Sequence, residues 1–200
     1  MTGANESIGY TGGLLKLGGI VSIPVAMLMV AVLVTAAAWT DIRSRRIPNR
    51  LVFAGAGIGL IWQLTAGGVE GLLAALGGMG VGLAVMVPFY VLRAMGAGDV
   101  KLMTMVGAFL GPVGTFSAAL LTFVVGGVLA VVIAIANGTL GQLLSNLKTM
   151  VWGSLGRVMI GGSAQFVAPV VSVGKLPYGV VIALGTLAYI GMRQAGMDLF

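Results

Sequence analysis

The sequence predicts an all-α polytopic membrane protein with about six transmembrane helices and an interfacial helix before the last span. Hydrophobic residues make up 58% of the 200 residues and charged residues only 8%, and the mean hydropathy is +1.10. A soluble domain carries about 25% charged residues. Several apolar runs reach the roughly 20 residues that a helix needs to cross a bilayer. The composition therefore excludes a soluble globular protein.

The residue types also limit the chemistry. The sequence contains neither cysteine nor histidine. This excludes disulfides, thiolate catalysis and cysteine metal sites, and it removes the commonest general base and most zinc ligands. We accordingly expect no metal and no cofactor. The net charge is +6. Its basic residues lie singly or in one small group between apolar runs, which indicates membrane topology and not a nucleic-acid partner.

The chain divides into an N-terminal extramembrane segment, residues 1–19, and a membrane domain, residues 20–193. The first apolar run lacks a clear small-residue cleavage site, which favours a retained span over a removable signal peptide. Pro24 near its start is tolerated in the first turn of a helix. The six predicted spans are about 20–40, 51–65, 71–92, 99–110, 113–136 and 176–192.

Glycine and proline mark the connections between these spans. Residues 66–70 predict a tight turn, and Gly111-Pro112 ends the fourth span. Residues 137–175 form the longest stretch in which polar and charged residues are mixed with apolar ones. The apolar residues recur there at helical intervals. That pattern is typical of a helix lying in the membrane interface. Whether the region holds substrate, holds a partner or lies on lipid stays open.

Two glycine pairs have the spacing that allows membrane helices to approach closely. They are Gly55/Gly59 and Gly78/Gly82. Chance is the alternative explanation, because the chain contains 34 glycines.

The positive-inside rule orients the spans. If the first loop is cytoplasmic, only Lys16 and Arg193 lie outside, and all the other basic residues lie inside. Those are Arg43, Arg45, Arg46, Arg50, Arg93, Lys101, Lys148, Arg157 and Lys175. Asp41, at the end of the first span, and Asp99, at the start of the fourth, then share the cytoplasmic side.

Asp41 and Asp99 are the candidate catalytic residues. An ionisable group at membrane depth costs several kcal/mol, so each is by default a hypothesis of function. Two carboxylates can share one proton, one activating a water and the other protonating a carbonyl or leaving amine. This chemistry requires neither histidine nor metal.

Other interpretations of the two acids stay open. Asp99 could be a helix N-cap, and Asp41 could be an interfacial partner of Arg43 or Arg45. A small proton- or cation-coupled transporter could use the same acids, and a membrane assembly factor without activity is a third alternative. Transporters usually place acids near the bilayer midplane. The position of both acids at one interface therefore favours hydrolysis.

The residues flanking the acids have predicted roles. Gly96 and Gly98 allow backbone angles closed to other residues and close approach of an extended substrate strand, although a plain turn would also use them. Pro48 favours extended geometry at Ile47, and Asn49 can cap the following helix.

Residues 96–99, Gly-Ala-Gly-Asp, resemble the GxGD motif of the type IV prepilin peptidases. Asp41-Ile42 and residues 47–49, Ile-Pro-Asn, resemble the motif around the first catalytic aspartate of that family. Residues 177–179, Pro-Tyr-Gly, are similar to a third element, although Val180 stands where a second proline is common. The resemblance covers roughly residues 25–190.

The resemblance implies a membrane aspartic endopeptidase that cleaves the leader peptide of prepilins or pseudopilins at the cytoplasmic face. Asp41 and Asp99 would be its catalytic pair. Lys101 would steady the carboxylates or a substrate carboxylate, with a positive-inside anchor as the alternative. The substrate-binding or supporting residues would be Gly96, Gly98, Lys101, Pro48, Asn49, Pro177, Tyr178 and Gly179.

Larger members of that family also methylate the new N-terminus and carry a cytoplasmic domain with a cysteine-based metal site. About nine residues link the first two spans here, and cysteine is absent. The chain therefore resembles the small, peptidase-only branch that serves Flp/Tad-type pili, with archaeal preflagellin peptidases as a related possibility. The implied location is the inner membrane, and the implied partners are the prepilin, the lipid bilayer and the pilus assembly machinery.

Overall fold

The computed structural model describes residues 14–17, 21–92, 94–142, 144–145, 148, 177–197 and 199. The described part is helical, which confirms the all-α class, and one short hairpin precedes the helices. Its elements are β1 (Leu14–Leu17), β2 (Val21–Pro24), α1 (Val25–Ser44), α2 (Asn49–Val91), α3 (Ala97–Ala136) and α4 (Tyr178–Gln194). Further helical residues are 140–142, 144–145 and 148.

The first helix begins at Val25, whereas the sequence predicts a span from about residue 20. Residues 21–24 instead pair antiparallel with β1, with Leu17 opposite Val21. Pro24 explains the difference, because a proline disfavours helical geometry at the residue before it and suits a helix start. At its other end α1 continues past the predicted boundary, so Asp41 lies inside its last turn.

Helix α2 reverses direction at Gly68. A straight helix of its 43 residues would be about 65 Å long, about twice the thickness of a bilayer core. Gly68 has φ 60° and ψ −144°, which interrupts the helix. Gly59, before this break, lies against Phe109, and Gly82, after it, lies against Met103. The two legs, residues 49–67 and 69–91, therefore run in opposite directions along the start of α3.

Helix α3 reverses in the same way at Gly111, where φ is 68° and ψ is −177°. In its second leg Gly114 lies beside Tyr189, and Gly126 lies beside Val181. The second leg is therefore antiparallel to α4. Both breaks fall at turns that the sequence predicts.

In the part of the chain that the structure describes, three helices are long and apolar enough to cross a membrane, namely α1, α2 and α3. The protein is therefore a membrane protein, while the count of six spans stays a prediction. Residues 149–175 of the predicted interfacial segment, and most of the N-terminal segment, lie outside the described residues.

The core is centred on the first leg of α3, residues 97–110, which packs between the two legs of α2. Its apolar side chains Leu102, Met103, Met105 and Val106 are fully buried. A Cβ on Gly78 would meet the carbonyl oxygen of Gly107. The backbones therefore touch, and the predicted glycine pairs of α2 all face α3.

Candidate active site

Asp41 is a buried carboxylate at the junction of α1 and α4. It is 7% exposed, and its Oδ2 accepts a hydrogen bond of 2.8 Å from the backbone N–H of Gly179. At the C-terminal end of α1 the helix dipole disfavours a negative charge. The N-terminus of α4 supplies the opposite field and a free donor. Packing of α4 against α1 therefore compensates for this position.

Gly179 lies so close to Asp41 that no side chain fits there. A Cβ on Gly179 would stand 2.8 Å from Oδ2 and 3.0 Å from Cβ of Asp41. Pro177 is the N-cap of α4, and its carbonyl accepts from the N–H of Val180 at 3.0 Å. A second proline at position 180 could not donate this bond. The Pro-Tyr-Gly element thus sets the approach of α4 to Asp41.

Asp99 is the third residue of α3 and is 8% exposed. Its Oδ2 accepts from the backbone N–H of Gly96 at 2.9 Å. The N-cap is Gly96, so the alternative prediction of Asp99 as N-cap is wrong. Asp99 instead makes the reach-back contact of a capping box from the N3 position. This contact occupies one of the two carboxylate oxygens.

Asp41 and Asp99 lie near each other at one end of the helix bundle. Asp41 lies close enough to Asp99 for their negative charges to repel each other. The charge of Asp99 also acts on the phenol of Tyr178, a half-buried side chain packed on the core. Residues from α1, α3 and α4 therefore share one buried polar site.

The loop before α2 packs on the start of α3. Ile47 lies against Gly98, where an added Cβ would be in ordinary contact at 3.4 Å. Lys101 Nζ donates to Asn49 Oδ1 at 3.1 Å and lies 5.7 Å from the centroid of the Phe53 ring. These contacts join the two sequence motifs.

Two expected roles in this loop are corrected by the structure. Pro48, not Asn49, is the N-cap of α2, and it makes no side-chain capping bond. The Asn49 side chain accepts from Lys101 instead. The Lys101 ammonium therefore donates this hydrogen bond to an amide oxygen and not to either aspartate.

The expected backbone freedom of the motif glycines is also corrected. Gly96 has φ −81° and ψ 157°, which any residue adopts, and the left-handed glycines lie elsewhere. Space is what limits Gly96, since an added Cβ would lie 3.3 Å from Asp99 Oδ2. Gly98 is half-buried beneath Ile47.

Sequence reasoning missed Ile47 and Phe53 as contact residues. Their partners, Gly98 and Lys101, lie about 50 positions away along the chain. The available signal for Ile47 was its place before Pro48, and nothing in the pattern marked Phe53.

The fold and the site define a class: a helical membrane protein whose chemistry-bearing groups are two buried carboxylates from different helices. The chain belongs to the type IV leader peptidase family, whose sequence profile matches residues 28–135. That range is just over half of the chain and contains both Asp41 and Asp99. No curated protein and no solved structure matches the chain.

Membership establishes a membrane peptidase with a leader-peptidase-like function and, in general terms, prepilin-type substrates. The matched range includes Asp41 but ends before Pro177. Gly179, which donates to Asp41, therefore lies outside it.

Proposed function

We propose that this protein is an aspartic endopeptidase that removes the leader peptide of type IV prepilins, with Asp41 and Asp99 as the catalytic pair. The observation that supports the proposal is the proximity of two buried carboxylates from different helices, each of which accepts a hydrogen bond from one backbone N–H. Two carboxylates in poorly solvated surroundings share one proton more readily than they carry two charges.

The proposed reaction begins with one ionised and one protonated carboxyl group. The ionised group takes a proton from water as the oxygen attacks the scissile carbonyl carbon, and the protonated group donates to the carbonyl oxygen. The tetrahedral intermediate then collapses. Its C–N bond breaks and the leaving amine takes the proton that the pair holds. A hydroxyl group of the intermediate gives its proton to the pair as the new carboxylic acid forms, so the pair again holds a single shared proton.

The surrounding residues have supporting roles in this proposal. Gly98 presents no side chain, so Ile47 of the loop packs closely on the first turn of α3 beside Asp99. Lys101 and Asn49 hold the loop that borders this approach. Gly179 orients Asp41.

We further propose that the site faces the cytoplasm from the inner membrane, where it meets the prepilin and the pilus assembly machinery. The exposed arginines of the first loop lie at the same end of the bundle as Asp41, which supports this orientation. The short loop of residues 45–48 and the absence of cysteine favour the small Flp/Tad-type branch without methyltransferase activity.

The transporter alternative is less well supported. Asp41 lies in the last turn of α1 and Asp99 in the first turn of α3. Transporters usually place such acids near the middle of the membrane, within broken helices. The breaks of this protein, at Gly68 and Gly111, lie away from both acids.

Co-expression with a Flp-type prepilin, followed by a gel shift for leader removal, tests the proposal. We expect Asp41→Asn and Asp99→Asn each to abolish processing, because neither variant can supply the missing carboxylate. Glu70→Gln is the matched control, since it removes an exposed acid next to the Gly68 turn. Processing by either aspartate variant at the rate of the control would overturn the assignment.

A further inference from the structure

The loop that joins α1 to α2 concentrates positive charge. It carries four arginines whose side chains are all exposed: Arg43, Arg45, Arg46 and Arg50. The two acids at this end, Asp41 and Asp99, are buried and accept bonds from backbone N–H groups. Two carboxylates cannot neutralise four guanidinium groups. The loop therefore presents net positive charge on the surface of the bundle.

An aromatic platform lies beside this charge. The Arg43 guanidinium stands 4.4 Å from the centroid of the Trp39 ring. A guanidinium stacked on a ring keeps its N–H donors in the plane, directed sideways, where they match phosphate geometry. Trp39 is 57% exposed and Ile42 is 56% exposed. Tryptophan favours the headgroup level of a membrane. The arginine N–H groups that can donate to a phosphate therefore lie next to the exposed apolar surface of Trp39 and Ile42.

The backbone of Arg45 supplies an independent observation. Its φ of 52° is in the left-handed region, which favours glycine. The other left-handed positions among the described residues are all glycines: Gly68, Gly111, Gly138 and Gly196. A strained position of this kind is grounds for a functional hypothesis. The side chain of Arg45, at a position that favours glycine, is therefore a candidate functional group.

We propose that the four arginines of this loop, together with Trp39, bind the phosphodiester headgroup of an anionic glycerophospholipid. Charge complementarity identifies the ligand, because clustered arginines directly beside a transmembrane helix attract anionic lipid. The guanidinium groups donate to the phosphate oxygens, and Trp39 and Ile42 contact the upper part of the acyl chains.

Native mass spectrometry of the purified full-length protein tests the proposal, with phosphatidylglycerol and phosphatidylcholine as the lipid probes. We expect wild type to retain phosphatidylglycerol preferentially, and Arg43→Gln/Arg46→Gln to weaken that retention about thirtyfold, since each arginine contributes about fivefold near an anionic surface. The matched control is Lys148→Gln/Arg193→Gln, which removes the same charge from exposed positions elsewhere. Inorganic phosphate at the same concentration should not displace the lipid.

A second measurement keeps the test independent of retention in the gas phase. In a Trp62→Phe/Trp152→Phe background Trp39 is the remaining tryptophan of the three. Brominated phosphatidylglycerol in vesicles should quench its fluorescence more strongly than brominated phosphatidylcholine. Equal quenching by both lipids, or equal loss of retention in the control, would overturn the proposal. Displacement by inorganic phosphate would instead assign the site to a free anion and would also overturn it.

Discussion

The two catalytic candidates are held by very different interfaces. Asp99 stands on a helix leg packed between the legs of α2, where glycines bring backbones into contact. Asp41 stands on α1, whose approach to α4 is marked by one buried hydrogen bond to Gly179. The first interface is built on close glycine contacts, and the second ends in a buried polar contact at Asp41. We infer that changes at the first affect folding and that changes at the second affect catalysis.

The largest effect is expected at the glycine interface. Gly78→Ala places a Cβ against the carbonyl oxygen of Gly107 and 2.8 Å from the backbone of Gly111. Because backbone cannot move aside as a side chain can, we expect destabilisation of about 3 kcal/mol, the upper end for overpacking. Thermal unfolding in detergent measures it.

Gly80→Ala is the matched control for this change, because it lies two residues along the same leg with open space around it. It should be neutral or slightly stabilising, since alanine favours helix. Equal melting temperatures of the two variants would contradict the proposed role of the glycine interface.

At the polar interface we expect a folded but slow enzyme. Gly179→Ala forces α4 away from Asp41, because its Cβ would lie 2.8 Å from Oδ2. A displacement of about 1 Å can cost a hundredfold in rate, so kcat should fall about a hundredfold with little change in melting temperature. Steady-state cleavage of a prepilin peptide separates kcat from KM.

Gly191→Ala is the control on the same helix, where nothing lies near an added Cβ. It should retain full activity. A Gly179→Ala enzyme whose kcat stays within about twofold of that control would show that α4 does not position Asp41; a hundredfold loss is the scale expected of misplacement.

A smaller effect is expected where the two sequence motifs meet. Lys101→Met and Asn49→Ala each remove the 3.1 Å bond between them. We expect kcat/KM to fall about tenfold in each, and no further in the double variant, because the two changes remove one interaction. A double-mutant cycle on peptide cleavage measures this coupling.

The pH profile distinguishes this positioning role from charge compensation. If Lys101 neutralised the aspartates, Lys101→Met would move the pH profile of kcat/KM and Asn49→Ala would not. We expect neither to move it. Lys148→Met, another exposed base, controls for the loss of charge and should leave activity unchanged.

Much of this arrangement follows from the sequence alone. Span lengths and the arginines placed Asp41 and Asp99 on one side, and the turns at Gly68 and Gly111 fall where glycine and proline interrupt apolar runs. The contact between Gly179 and Asp41 could not be predicted in this way, because 138 positions separate its partners. Local pattern gives the direction of a helix, but the neighbour that it contacts depends on packing.

The bond between Lys101 and Asn49 illustrates the same limit. The local pattern explains Lys101 as an anchoring charge and Asn49 as a helix cap. Neither explanation predicts the hydrogen bond that joins the two side chains. The predicted start of α1 was wrong for a different reason. The hydropathy of residues 21–24 suits a strand as well as a helix.

The smallest expected effect concerns the end of α1 that carries Asp41. Arg45 has φ 52°, and its backbone N–H donates to the Asp41 carbonyl at 2.8 Å. A Cβ in this conformation costs about 1 kcal/mol that glycine avoids. Arg45→Gly should therefore be about 1 kcal/mol more stable than Arg45→Ala, since the pair differs only in that Cβ. Thermal unfolding of the two variants measures the difference. Equal stability would mean that the end of α1 relaxes freely, and Asp41 would then depend on α4 alone for its position.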